Sequence, residues 1–179
     1  WHPHYYKSVF DSLIVHSALL YTPTASRIIL AAKESGGKGA DELVIDAMVH
    51  VLAKKSFDTS LSRLVPIPSS KAAQRRRGRS FIVDLVSQIS DRTGIPMVDC
   101  LQVSRKVMDQ SGLHRDERAT NLAGAFSLTS QVRGDLILID DVVTTGATLK
   151  EAVRAVNSQG FHAVGSVSAV TACVAQPLR

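Results

Sequence analysis

Apolar and polar positions along this chain switch between a helical and an extended period. Glu42, Asp46, His50 and Lys54 recur at every fourth position while Leu43, Val44, Ala47, Met48, Val51 and Leu52 fill the rest, which predicts a mostly buried helix over 41–55 with one solvated stripe. Ile82, Leu85, Val86 and Ile89 share a face of a second helix, starting near Arg79 or Ser80 and ended by Gly94-Ile95-Pro96. Leu149, Ala152, Val153 and Val156 mark a third, ended by Gly160. An earlier helix runs from about Thr24 to Ser35, with Pro23 at its start. Shorter apolar runs read as strands. Leu136 to Ile139 is a strand buried on both faces, ending where Asp140 and Asp141 begin. Leu64 to Pro68 is a short strand whose two prolines prevent regular pairing on both sides. Met97 to Val103 gives one or two short strands, Phe161 to Val174 a last one, and Ser12 to Tyr21 either an edge strand or a hairpin. Trp1 to Phe10 shows no usable period. Strands alternating with helices predict an α/β fold with a mainly parallel, twisted central sheet flanked by helices.

Composition narrows this picture. The 179 residues are 45% hydrophobic, enough for a single domain with a real core. No apolar run is long enough to span a bilayer and Leu13 to Tyr21 lacks the flanks of a signal peptide, so the expected location is the cytoplasm. The chain starts at Trp1 and not at Met, which leaves a missing N-terminal piece as an expectation. Cys100 and Cys173 form no CxxC or Cys/His cluster and are expected to be buried small hydrophobes. His2 and His4 have no carboxylate or cysteine nearby and carry no metal reading. Ser35-Gly36-Gly37-Lys38-Gly39 fails as a phosphate loop, because Ala32 stands where its first glycine belongs and Gly39 follows the lysine. It reads as a helix end and connection. The net charge of +5 comes from 21 basic and 16 acidic residues. Lys71, Arg75, Arg76, Arg77 and Arg79 account for five of those 21, and the other 16 balance the acids, so the excess is one local patch.

The candidate chemistry lies between Leu136 and Thr148. Two carboxylates, Asp140 and Asp141, follow the buried strand, and Val143-Thr144-Thr145-Gly146-Ala147-Thr148 leads into a helix. Alone, such a pair reads as a turn former and helix-start charge. The loop changes that, since Gly146 lets backbone N–H groups converge on a phosphate and the threonine hydroxyls add donors. Carboxylates repel phosphate but accept hydrogen bonds from vicinal sugar hydroxyls, so the combination points to a ligand carrying ribose and phosphate. Ser69-Ser70-Lys71 follows a second strand and offers hydroxyls, N–H groups and a cation for another anion. Arg105 to Arg118 is a polar segment readable as a lid or as an ordinary exposed loop.

The stretch LILIDDVVTTGAT resembles the fingerprint of type I phosphoribosyltransferases, which bind phosphoribosyl pyrophosphate (PRPP). VPIPSS, RRGRS, RKVMDQSGLHRDERATNLAGAF and that stretch, in this order, resemble the ComF family of phosphoribosyltransferase-like proteins known from DNA uptake and competence, as do ALLY and AAKESG earlier. Gln110, Arg118, Asn121 and Phe126 match its middle motif, whereas the four-cysteine zinc ribbon of many members is absent and Arg79 replaces the usual aromatic.

The resemblance implies a type I phosphoribosyltransferase fold over 1–179, with an N-terminal hood and helices over 1–62 and a PRPP-binding core over 63–179. It implies that Val143 to Thr148 hold the sugar phosphate, Asp140 and Asp141 the ribose hydroxyls, and Ser69, Ser70 and Lys71 the pyrophosphate. Magnesium is then the cofactor, held mainly by PRPP and water with no protein ligand assigned. Arg105 and Lys106 are catalytic candidates, as cations supplied when the lid closes, and the acceptor is an unidentified nitrogenous compound. The competing expectation is a non-catalytic module that binds nucleotide or single-stranded DNA in competence or regulation; the basic patch motivates it, although no aromatics are interleaved for stacking.

Overall fold

Leu136 to Ile139 form the centre of the protein, none more than 1% exposed. The computed structural model describes residues 2–35, 38–104, 122–158 and 167–175. In chain order these form β1 (Tyr6–Phe10), β2 (Leu13–Leu20), α1 (Pro23–Ser35), α2 (Lys38–Lys55), β3 (Ser62–Pro66), α3 (Lys71–Arg77), α4 (Phe81–Thr93), β4 (Leu101–Val103), β5 (Phe126–Leu128), β6 (Asp135–Val143), α5 (Ala147–Asn157) and β7 (Val167–Val174). Five strands make one sheet in the order β1-β2-β7-β6-β3, and β4 pairs with β5 in a separate antiparallel ribbon. Only the β1–β2 hairpin is antiparallel within the main sheet. This is the mainly parallel, helix-flanked sheet that the periodicity predicts.

Ser12 to Tyr21 is resolved as the second arm of a hairpin, with β2 inside the sheet and β1 at its edge. Residues 1–62, expected as a hood with helices, put two strands into the sheet and supply α1 and α2. β3 is the other edge strand, where Pro66 is tolerated; on its outer side Leu64 bonds Pro96 and Val98 through the backbone.

Three expectations need correction. β6 does not end at Ile139 but continues through both acids to Val143, because β7 pairs with it at Asp140↔Thr171, Val142↔Cys173 and Val143↔Val174. The basic patch contains a helix, α3, that was not expected from the sequence. Ala, Gln and Arg are strong helix formers, and Gly78 with φ 69° follows where the helix stops. Tyr6 to Phe10 is a strand despite its weak pattern, because pairing with β2 substitutes for a buried face. The 41–55 helix starts at Lys38, and α5 ends at Asn157. Gly160, and Gly36 and Gly37 of the glycine-rich stretch, lie outside the described residues.

Side chains alternate across β6 with a period of two from Leu136 to Ile139. Ile137 and Ile139 pack with α1, α2 and α4 on one face. Leu136 and Leu138 pack on the other with α5 and the β4–β5 ribbon. The helices on the first face are tied by guanidinium groups. Arg79 donates to Ala32 O at 2.5 Å and pairs with Asp41, while Arg92 binds Glu42 and Asp46. Cys100 and Cys173 are free and buried, and burial raises their thiols to about 11 and about 12, so both are inert apolar fillers. No helix among the described residues is long and apolar enough to cross a membrane.

On the α5 face, the buried Glu151 accepts hydrogen bonds from Phe126 N–H at 3.1 Å and from Arg154 at 2.8 Å, while Arg154 donates to Phe126 O. This fastens β5 to α5. Burial pushes the Glu151 carboxyl up, but the Arg154 side chain and the N–H groups of Phe126 and Gly124 outweigh it and hold it below its ordinary 4.5. A depressed acid stabilises the fold above the unfolded value and loses that contribution as pH falls through the folded one. Glu151→Gln should therefore cost stability at pH 7, and its gap to the wild type should narrow at pH 4. Denaturant midpoints at both pH values check this; a gap of constant size contradicts it.

Candidate functional site

The site is built at the end of β6 by strand geometry. The strand runs on through Asp140 and Asp141, whose carboxyl groups lie in contact with each other. Asp140 lines a small recess together with Val142, Leu149 and the loop from Val143 to Thr148 between them. Asp141 is 7% exposed, and its Oδ2 meets Lys33 Nζ of α1 at 2.5 Å. The Asp141 N–H turns back and donates to Asp140 Oδ1 at 2.9 Å. Burial, and then the neighbouring Asp141 carboxylate, raise the Asp140 carboxyl well above the usual carboxylate range, while Lys33 pulls the other way.

The loop after β6 has the polarity of an anion site. Thr144 is exposed, Thr145 and Thr148 are half-buried, and Thr145 Oγ1 accepts from Ala147 N–H at 3.4 Å. Gly146 occupies the position before α5 with φ 76° and supplies no capping side chain. Apart from Ala147 N–H, held by Thr145, the N–H groups of the first turn of α5 have no side-chain cap and suit a ligand or solvent, with the helix dipole behind them. Gly146 is also required by its surroundings. A Cβ there would lie 2.6 Å from Phe10 Cδ1, since the β1–β2 turn folds onto this helix start and Asp11 pairs with Lys150 at 2.7 Å.

β3 and β6 are parallel neighbours with Pro66 opposite Ile139, and Ile67 N–H bonds Ile139 O. The half-buried Ser69 and Ser70 therefore leave β3 close to the level of the acidic pair, and Gln74 fixes the turn by donating to Ser69 O and Ser70 O. Lys71 opens α3. Arg105 and Lys106, with the whole 105–118 segment, lie outside the described residues. Across the sheet, Thr171 stands in register with Asp140; it receives a hydrogen bond from Ser17 and donates its own proton to Cys173 O. In the basic patch Arg79 is committed to Asp41 and Ala32, whereas Arg75 and Arg76 are exposed.

The structure thus brings Asp140 and Val143 to Thr148 around one recess, sets Asp141 against Asp140 and Lys33, and places Ser69 and Ser70 at the end of the adjacent strand. Lys33, Phe10 and Asp11 are not legible from the motif. For Lys33 one signal exists: it continues the buried row Ala25, Ile29 at the next fourth position, so a charge stands where the stripe calls for an aliphatic residue.

Among the described residues no group of three or more His, Cys, Asp or Glu side chains can hold a metal ion. With Asp141 occupied by Lys33, the donor set fits an ion delivered by phosphate oxygens and water better than one caged by protein.

Gly146→Ala should lower stability by about 1–3 kcal/mol through its positive φ, with a further loss from the Phe10 clash. Adding Phe10→Ala should recover only the clash. Thermal unfolding of the single and double variants checks this, and an unaffected single variant contradicts both causes.

The model of the phosphoribosyl transferase domain matches residues 73–176, more than half of the chain. Competence protein F of Haemophilus influenzae is 30% identical over 118 residues, covering 63% of this chain; the chain spans 52% of that protein's length. Among solved structures, orotate phosphoribosyltransferase from Aeropyrum pernix aligns with 92% of this chain and 71% of its own at 14% identity and TM-score 0.47. A hypoxanthine phosphoribosyltransferase from Staphylococcus aureus aligns with 73% of this chain and 62% of its own at 16% identity and TM-score 0.42. On the sequence match alone, which includes the Asp140 strand, its loop and α5, this chain belongs to the phosphoribosyl transferase domain family.

Proposed function

We propose that this chain binds PRPP together with magnesium and transfers the phosphoribosyl group to a nitrogenous acceptor, releasing pyrophosphate. The observation that carries the reading is the single recess shared by Asp140 and the Val143–Thr148 loop at the uncapped start of α5. Backbone N–H groups there suit a sugar phosphate, and the acid beside them suits ribose hydroxyls.

In the proposed reaction the acceptor nitrogen forms a bond to the anomeric carbon as the bond to the pyrophosphate oxygen breaks. The departing group takes the electron pair, and positive charge develops on the ribose. Asp140 is placed to stabilise that charge and to hold the hydroxyls. Ser69, Ser70 and the start of α3 at Lys71 are the proposed pyrophosphate contacts, with Arg105 and Lys106 proposed as further cations. Bound magnesium would supply neutralisation of pyrophosphate oxygens. Asp141, in contact with the Asp140 carboxyl and paired with Lys33, is proposed to share in holding the ribose hydroxyls.

A second reading is favoured by one surface. Arg75 and Arg76 are exposed on α3, with Glu34 of α1 3.9 Å from Arg76, and this basic helix suits a nucleic acid backbone; competence is the setting suggested by the relative's name.

Calorimetric titration with PRPP and magnesium tests the first reading. The wild type should bind, and Asp140→Asn should weaken binding at least about ten-fold, the equivalent of ~1.4 kcal/mol. Pyrophosphate release across a panel of nitrogenous bases then identifies the acceptor. Absence of PRPP binding by the folded wild type sinks the proposal.

A further inference from the structure

A hollow of about 430 Å³ opens over the carboxyl end of β2, lined by Leu19, Leu20, Ala25 and Ile28 with the hydroxyl-bearing Tyr6, Thr22 and Thr24. We infer that it is the acceptor pocket and that it takes a neutral, planar nitrogen heterocycle. The role of acceptor rests on the proposed PRPP reading; the preference for a neutral ring rests on the lining alone.

Position comes first. β2, β7 and β6 are parallel and reach the same edge of the sheet, with Leu20 in register with Val174 and Val174 with Val143. Backbone bonds continue that alignment past the strands, from Tyr21 N–H to Val174 O and from Ala175 N–H to Val143 O, both 2.9 Å. The hollow and the loop after Val143 therefore open at one edge, two strand spacings or about 10 Å apart, where parallel sheets bind their ligands. Leu19, Ala25 and Ile28 belong to the core beneath α1 and α2, and Tyr6 and Leu20 to the core beneath α5. The hollow thus sits over the strand end and on neither face alone. The recess beside Asp140 encloses about 30 Å³, too little for a ring, whereas 430 Å³ lies within the roughly 300–1,000 Å³ usual for small-molecule sites.

The lining sets the chemistry. It contains no acid and no base, so a carboxylate or ammonium buried there would lose water without gaining an opposite charge. Aliphatic walls suit the faces of a flat ring, and hydroxyls can both donate and accept, as ring nitrogens and exocyclic groups require. Thr22 caps α1, its Oγ1 accepting from Ala25 N–H at 3.2 Å, which leaves its own proton to donate to a ring nitrogen. The Tyr21 and Ser26 hydroxyls, 2.7 Å apart, brace that turn. An alkyl chain would leave the lining hydroxyls unmatched, which counts against a lipid.

Nicotinamide and nicotinate, near-isosteres that differ in charge, test the preference, with adenine as a larger neutral ring. Carbon-13 methyl spectra of the full chain should show nicotinamide or adenine shifting Leu19, Leu20, Ala25 and Ile28, and nicotinate binding there at least about ten-fold more weakly. Thr24 is exposed at the start of α1, so Thr24→Trp can fill the hollow without disturbing the core. It should weaken the neutral probe at least about ten-fold, whereas Leu30→Trp, at a position 53% exposed on the same helix and outside the hollow, should not. Far-ultraviolet circular dichroism confirms folding, and Thr24→Phe takes the place of Thr24→Trp if that variant does not fold. A repeat titration with PRPP and magnesium present separates an acceptor from a competitor. Neighbouring sites predict that the neutral probe still binds; its displacement by PRPP overturns the acceptor role. Methyls unmoved by both neutral probes, nicotinate bound as tightly, or Thr24→Trp without effect overturns the pocket. If the wild type fails to bind PRPP, the proposed function falls separately and the methyl titration still decides what the hollow takes.

Discussion

The pairing of β6 with β7 beyond Ile139 is the constraint on which the rest of this site depends. Pairing with Thr171, Cys173 and Val174 keeps Asp140 and Asp141 within the strand, so both acids are held beside the loop that starts only after Val143. Their carboxyl groups meet each other, and Lys33 of α1 meets Asp141.

The two faces of the sheet consequently carry different duties. The face with α1, α2 and α4 is a conventional apolar core stitched by Arg79 and Arg92, and it supports Asp141 from behind. The opposite face combines core with function. There α5 presents its uncapped start to the recess and, about one to two turns on, grips β5 through Glu151 and Arg154. The β1–β2 turn closes on the same helix start through Phe10 and Asp11, so a single glycine, Gly146, satisfies a left-handed turn, a helix start and a packed ring together.

Much of this was legible in the sequence because it rests on local rules. The apolar stripes of α2, α4 and α5 and the four aliphatics of β6 follow from periodicity, and the phosphoribosyltransferase family from one thirteen-residue stretch. What escaped depended on contacts distant in sequence. The length of β6 was hidden because two acids look like a strand end unless the partner strand is known. α3 was masked by reading its arginines as charge and not as helix formers. Lys33 was missed because its partner lies far along the chain, although a lysine on the buried row of α1 is an anomaly that demands one. The β1–β2 turn over Gly146 has no sequence signal at all, since it depends on how the sheet twists.

The central claim is that the acidic pair at the end of β6 and the loop after it form one site for PRPP. A crystal structure of the complex with PRPP and magnesium tests it most directly. The account predicts ribose hydroxyls at hydrogen-bond distance, about 2.5–3.0 Å, from the Asp140–Asp141 pair and the sugar phosphate on the N–H groups of the 144–148 loop. PRPP bound away from both the pair and the loop would contradict it.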